Sequence, residues 1–561
     1  MTINDTETMT INQNPTPGCN QVDSGQNNCQ VTTVVSDIMP SKNRAPKKAA
    51  SPTLPITHQP LIRDPRFFPH NRTHFATSGP HMVETPACQQ LSFSTRRYFA
   101  RGSASTSRSR SDSAIPRNSC PPVDQSVAIS ERRIGRLRHR SLWALTAWIG
   151  WLAIGTLAAH ADWPQILGPN RDGSLPPGQT IPVPDHPAPG IDWSHDVGAG
   201  YAGPSVTGSQ VLIAHRRGES EMLEALDVET GQPRWRARWQ ASYAGGIDPD
   251  TGPRCTPVVA GDRAIVYGAA GDLVCIQLAD GEVLWHRRLR QEYRADDGYF
   301  GAGSTPLVLG DIAIVNIGGK DAGIAAIDLA DGHTRWTATT YDASYASPVA
   351  VPSAGVPLAL VVTRLRTVLL ECQTGQVLDE FAFGSRGPTV NAATPIPIGD
   401  QRYLLTASYG IGTTIVRVQG RALHVELERS QLLASQYNTP VFAAGRVLGV
   451  HGREDVGLAA LRAVDPANQR VVWEEPDFGT AHLLTDGQTV LGITIGGAIW
   501  WIDPSSDRFT ALAQSQLPPG RYRALPAWSD GRLLVRATRS PTSATVHCIR
   551  LARDTSAVGT P

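Results

Sequence analysis

A phrase of apolar alternation, turn and tryptophan recurs three times in this chain: ALDVETGQPRW at 225–235, CIQLADGEVLW at 275–285 and AIDLADGHTRW at 326–336. In each copy a Gly is followed four residues later by Trp. Asp and Gly suit a tight turn, because Gly tolerates positive φ and Asp caps its own turn. The Trp then falls on the next strand. A phrase repeated along a chain builds architecture, since a motif spread around a ring seldom carries a single active site.

Each phrase sits inside a longer unit. The units open with a small residue and Pro leading an apolar run, as in CTPVVAGDRAIVYG (255–268), STPLVLGDIAIVNIG (304–318) and NTPVFAAGRVLGVHG (438–452). Anchoring on Pro204, Pro257, Pro306, Pro348, Pro395, Pro440, Leu483 and Pro526 gives intervals of 53, 49, 42, 47, 45, 43 and 43 residues. That period is the length of a four-stranded propeller blade. No stretch of the region keeps a convincing helical period. The expected fold is therefore all-β: an eight-bladed β-propeller of four-stranded antiparallel blades, with seven blades as the alternative count, over residues 162–561.

The phrase decays towards the C-terminus. Unit four places Asp379 where Trp belongs, unit five has lost most of the pattern, and the eighth unit ends at HCIRLAR (547–553) with no outer Trp strand. PGIDWSHDV (189–197) stands unpaired before the first unit. A strand from the front can complete the last blade, which closes the ring and removes exposed edges.

The first quarter is a different material. From Lys42 to Arg140 there are 18 Lys/Arg against 5 Asp/Glu, although the whole chain carries a net charge of only +1. Residues 1–130, rich in Ser, Thr, Asn, Pro and Arg, lack the apolar surface to offset ordering entropy and read as a disordered basic segment. The near-neutral total gives no sign of a nucleic-acid partner. A positive cluster at 131–140, an uncharged apolar run at 141–158 and AHA at 159–161 then read as a signal peptide cut after Ala161, or as a membrane anchor if uncleaved. The small-residue site favours cleavage and an extracytoplasmic, secreted or periplasmic, protein. A signal peptide beginning near residue 131 fits a start assigned too far upstream, in which case 1–130 is absent from the mature protein. The eight cysteines show no CxxC or adjacent pair, which argues against zinc ribbons and attached haem. Cys275, Cys372 and Cys548 fall in strand-like runs and are expected as buried thiols.

DWPQILGPNRDG (162–173), followed by the [ST]-P-x-V strands and the Gly-to-Trp turns, resembles the pyrroloquinoline-quinone-like repeat proteins, a quinoprotein-type β-propeller family. The resemblance covers about residues 162–553. It implies one of two activities. Some relatives are dehydrogenases that hold pyrroloquinoline quinone (PQQ) and calcium in the channel, with a catalytic carboxylate and often a Cys-Cys pair. Others are non-catalytic assembly lipoproteins of the outer membrane. This chain has neither the Cys pair nor a Cys after the cleavage site, and no carboxylate or metal ligand is assigned by motif. The first expectation is a monomeric, non-catalytic binding or assembly scaffold without cofactor. The alternative is a PQQ-dependent alcohol dehydrogenase of the polyvinyl-alcohol type, and only this alternative requires PQQ and calcium.

Local motifs add little. GAGYAG (198–203) leads into a strand and not a helix, so it is no dinucleotide loop. DPDTG (248–252) lacks the bidentate Glu of a calcium loop and reads as a surface turn. One alignment is more informative. The residues three before each anchor are Tyr201, Arg254, Gly303, Tyr345, Ala392, Tyr437, Thr480 and Arg523. They precede the innermost strands and should ring one mouth of the channel. Tyr201, Arg254, Tyr345, Tyr437 and Arg523 are the candidate binding residues, able to stack on a ligand and to bind carboxylates. A protein partner or a small ligand at this mouth is expected. A scaffold should leave the channel open.

Overall fold

Short apolar runs separated by Gly-bearing turns pair with their neighbours in sequence, because a tight turn returns the chain antiparallel to itself. The computed structural model describes residues 162–184 and 190–551. It contains eight four-stranded sheets, set in a ring as the blades of an eight-bladed propeller. The seven-blade count is excluded. The segment 1–130, expected to be disordered, and the signal peptide or anchor expected at 131–161 lie outside the described residues. No described helix is long and apolar enough to cross a membrane.

Blade 1 runs through Ser205–Thr207, Gln210–Arg217, Ser220–Asp227 and Pro233–Gln240, from the channel outwards. Blades 2 to 7 repeat this order, with innermost strands at Val258–Ala260, Leu307–Leu309, Val349–Val351, Ile396–Pro397, Val441–Ala443 and Ala481–Thr485. The middle strands are covered on both faces by adjacent blades. Ile312–Asn316 and Ile324–Asp328 are buried along their whole length, so alternation weakens there into continuous apolar runs.

Blade 8 takes three strands from the end of the chain, Ala527–Ser529, Arg532–Ser540 and Ser543–Arg550. Its fourth is Gly190–Gly198, paired antiparallel with Ser543–Arg550. The ring is closed by the front strand, as the unit count required. Asp192 fastens the closure, accepting from Arg532 Nε at 3.1 Å and from an Arg550 terminal nitrogen at 2.9 Å.

The Gly-to-Trp phrase joins blades. The indole nitrogens of Trp235, Trp285 and Trp336 donate to carbonyls of the next blade, Leu278 at 2.8 Å, Leu329 at 3.0 Å and Cys372 at 2.9 Å. Each ring lies on the turn Gly of that next blade. A Cβ on Gly281, Gly332 or Gly375 would come within 2.5, 2.9 and 2.4 Å of the respective indole, and all three glycines have positive φ. Trp193 of the closing strand does the same for Gly231 and Val228. In unit four, Asp379 takes the place of the indole and accepts from the Leu423 backbone N–H of blade 5 at 2.8 Å. The thiols of Cys275, Cys372 and Cys548 are buried and free, as is that of Cys255.

Residues 162–184 do not leave the channel open. This segment runs along the inner strands at the end opposite the ring of residues that precede them. Trp163 exchanges backbone hydrogen bonds with Val206, and Pro164 accepts from Val259. Further along, Leu175 donates to the Thr485 carbonyl, Gln179 accepts from the Trp528 indole and Pro182 from the Trp501 indole. Arg171 reaches into the interior and donates to the carbonyls of Thr305 and Pro306 at 2.9 and 3.0 Å. DWPQILGPNRDG is thus a strap that stops one end of the channel, and the expectation of an open channel is corrected.

Candidate functional site

Each blade begins with a loop that leads to its innermost strand at the anchor residue, a Pro in every blade but the seventh, so the residues three before the anchors fall at the same end of the channel. Tyr201, Arg254, Gly303, Tyr345, Ala392, Tyr437 and Arg523 line one cavity of about 760 Å³. Thr480, the eighth ring position, is buried and is not part of the lining; His482 faces the cavity from blade 7 instead. Ile166 of the strap also lines the cavity, which makes it a well stopped at its far end.

One wall is aromatic and apolar. Tyr299, Phe300 and Tyr345 form an edge-to-face series with centroid separations of 6.5 and 5.7 Å. The Phe300 backbone N–H donates to the Tyr345 hydroxyl at 2.9 Å, which fixes the ring. Gly303 makes room for it, since a Cβ there would lie 2.4 Å from the Tyr345 ring. Pro388, Val390 and Ala392 extend this wall.

The other wall is a ladder of charges tied together by Arg523. One terminal nitrogen of Arg523 donates to Asp248 at 3.2 Å, and the other to Glu454 at 2.9 Å. Asp248 lies in the loop between blades 1 and 2, and Glu454 in a short helical turn, Glu454–Val456, within a hairpin of blade 6. Asp248 also accepts from the Tyr201 hydroxyl at 3.1 Å. Glu454 accepts from the Tyr437 hydroxyl at 2.6 Å and from Arg521. Arg453 pairs with Asp455 and lies 4.4 Å from the centre of the Tyr409 ring. Arg254 pairs with Asp250 at 2.9 Å, and both Arg254 and Arg523 lie over the Tyr201 ring, at 5.3 and 5.6 Å.

These contacts set the protonation states. Burial alone would raise the Glu454 carboxyl, but the hydrogen bonds from Tyr437 and Arg523 and the charges of Arg523 and Arg521 hold it below its ordinary value. Burial, then the Glu454 charge, raises the Tyr437 hydroxyl. Burial, then Asp248 and Asp250, raises that of Tyr201. His482 Nε2–H donates to the Arg523 carbonyl at 2.8 Å and Nδ1 accepts from the Asn438 amide; burial lowers the imidazole to about 4, so it is neutral at pH 7. Glu454 is therefore ionised at neutral pH while Tyr201, Tyr437 and His482 are neutral.

The sequence missed Asp248, Asp250, Glu454, Arg521 and the Tyr299–Phe300 pair. The DPDTG turn is a wall of the well and not a surface turn: Asp250 is 1% exposed and accepts backbone N–H groups from Gly200 and Gly252. The HGREDVG hairpin (451–457), with Arg453, Glu454 and Asp455 in succession, was the available signal for Glu454.

A family model described as outer membrane protein assembly factor BamB matches residues 218–475. BamB of Yersinia pestis is 22% identical over 375 residues, 62% of this chain and 86% of the relative. Among solved structures, a europium-containing methanol dehydrogenase superposes with a TM-score of 0.51 at 11% identity, covering 67% of this chain and 89% of its own. A quinohemoprotein alcohol dehydrogenase from Pseudomonas putida HK5 gives 0.53 at 13% identity, covering 72% and 82%. At such identities the structural likeness concerns the fold. Repeat phrase, blade count and the matched family model agree on a pyrroloquinoline-quinone-like repeat β-propeller, the fold this chain has.

Proposed function

We propose that this protein is an extracytoplasmic, non-catalytic binding propeller that engages a partner protein at the channel mouth. The observation that carries this reading is the commitment of every carboxylate lining the well. Asp248 and Glu454 share Arg523, Glu454 also holds Arg521, and Asp455 holds Arg453. A base for alcohol oxidation must be free to take a proton, and a calcium ion asks for about six to eight oxygen ligands. Carboxylates that each face a guanidinium are poor at both tasks. The Tyr201 ring, which a planar cofactor would stack on, is in contact with Arg254 and Arg523. The arrangement supports a reading without PQQ and calcium, and the named assembly-factor relative supports a protein partner beyond the inner membrane.

Calorimetric titration of the purified protein with PQQ and calcium tests this. The proposal expects no saturable heat. Saturable binding in the low micromolar range, lost in an Arg254→Ala, Tyr345→Ala variant, would replace it with the PQQ-dependent alcohol dehydrogenase reading.

A further inference from the structure

The well is a dead end with a surplus of positive charge. Around it stand Arg254, Arg453, Arg521 and Arg523, with Arg171 and Arg536 behind them, against Asp248, Asp250, Glu454 and Asp455. Six cations therefore face four anions. The surplus comes from the two deepest guanidinium groups. Arg171 and Arg536 are 2% and 0% exposed, and among the described residues neither has a carboxylate partner. Arg536 donates only to the carbonyls of Gly198, Ala202 and Ala214, directly beneath the loop that presents Tyr201. Carbonyl dipoles solvate both charges and Asp250 acts on Arg536 from nearby, but Asp250 is itself paired with Arg254, so a net positive field remains in the low-dielectric interior.

Apolar side chains stand exposed beside the two loops that Arg523 ties together: Ile247, which lines the well, and Val456 and Leu458 are 70%, 53% and 68% exposed. Arg521, whose side chain is 61% exposed, lines the well and donates to Glu454 through one terminal nitrogen.

We infer that the well captures the free C-terminal end of a partner polypeptide, with the terminal carboxylate on Arg521 and Arg523 and an apolar last side chain against Tyr299, Phe300 and Tyr345. A cavity stopped by the strap at Ile166 admits a chain most simply by its end. The net positive field selects the carboxylate end and rejects an α-ammonium. The aromatic wall selects an apolar last residue, and Ile247, Val456 and Leu458 receive the residues before it. End capture of this kind combines a charge-assisted hydrogen bond with a side-chain pocket. The inference rests on the binding-propeller reading and adds the chemistry of the partner.

The test is fluorescence anisotropy of the full protein with a labelled peptide, Ser-Val-Ser-Val-Phe with a free α-carboxylate. Its α-amide twin and a version with the Phe placed mid-chain serve as comparisons. The free acid is expected to bind saturably, with the amide and the mid-chain form weaker by about tenfold or more. Arg521→Gln, at an exposed position, should bring the acid down to the amide's level. Val456→Ser should weaken both forms. Equal binding of acid and amide, or binding of neither, would overturn the inference and leave the propeller reading intact. PQQ titrated with calcium in the same assay separates the two claims, because saturable cofactor binding counts against the non-catalytic reading itself.

Discussion

The indole of Trp235 in blade 1 fills the space that a Cβ on Gly281 in blade 2 would occupy, with its nearest ring atom 2.5 Å from that position. The same indole donates to the Leu278 carbonyl, three residues before that Gly. The Trp of one unit is thus read by the turn of the next. Two demands meet at Gly281: φ is +81°, and the side-chain position is taken by a neighbour.

Gly281→Ala should therefore destabilise the protein by about 2–4 kcal/mol, the sum of a strained left-handed backbone and a displaced indole. Gly261→Ala provides the comparison, since that Gly also has positive φ but nothing within 4 Å of its Cβ position. It should cost about 1 kcal/mol, from backbone strain alone. Urea denaturation of the two variants measures the difference.

Ring closure depends on Trp193, which is 8% exposed and donates to Val228 of blade 1 at 2.9 Å. Trp193→Ala removes an indole from the seam between first and last blades and should cost about 3–5 kcal/mol. Hydrogen exchange should show Gly190–Gly198 losing protection first, because the wedge that holds it to blade 1 is gone.

Arg523→Ala leaves Asp248 without its arginine and Glu454 with Arg521 alone. A loss of about 2 kcal/mol is expected from uncovering partly buried charges. Arg523→Lys should recover only part of it, since a point charge cannot span both carboxylates as the planar guanidinium does. Thermal melts of both variants at low and high salt would separate the ionic part.

Stability should fall on acidification in two steps. His482 and His215 are held near 4 by burial, below the ordinary histidine value of about 6.5, so between these values the unfolded chain binds protons that the native one does not. Their contribution is complete above about 6.5 and is lost as pH falls towards 4. Glu454, held below its ordinary value, adds stability above about 4.3 that is lost as pH falls further. The chemical-denaturation midpoint followed from pH 7 to 4 should be flatter in His482→Gln than in the parent.

The blade order, the blade count and the strand that closes the ring were all legible in the chain, because turn glycines, prolines and tryptophans recur at a period that local chemistry dictates. The ring of Tyr201, Arg254, Tyr345, Tyr437 and Arg523 was legible for the same reason: equivalent positions in equivalent blades face one axis. What each of these side chains meets there was not. Arg523 pairs with Asp248 and Glu454 across 275 and 69 residues, and those two carboxylates sit in loops that break the repeat. The strap was equally hidden, since residues 162–184 carry no period and their route is defined by contacts with six different blades. Period and turn chemistry are local and so determine the blades; charge pairing at the channel and closure of its far end arise between distant residues, and only the assembled ring brings those together.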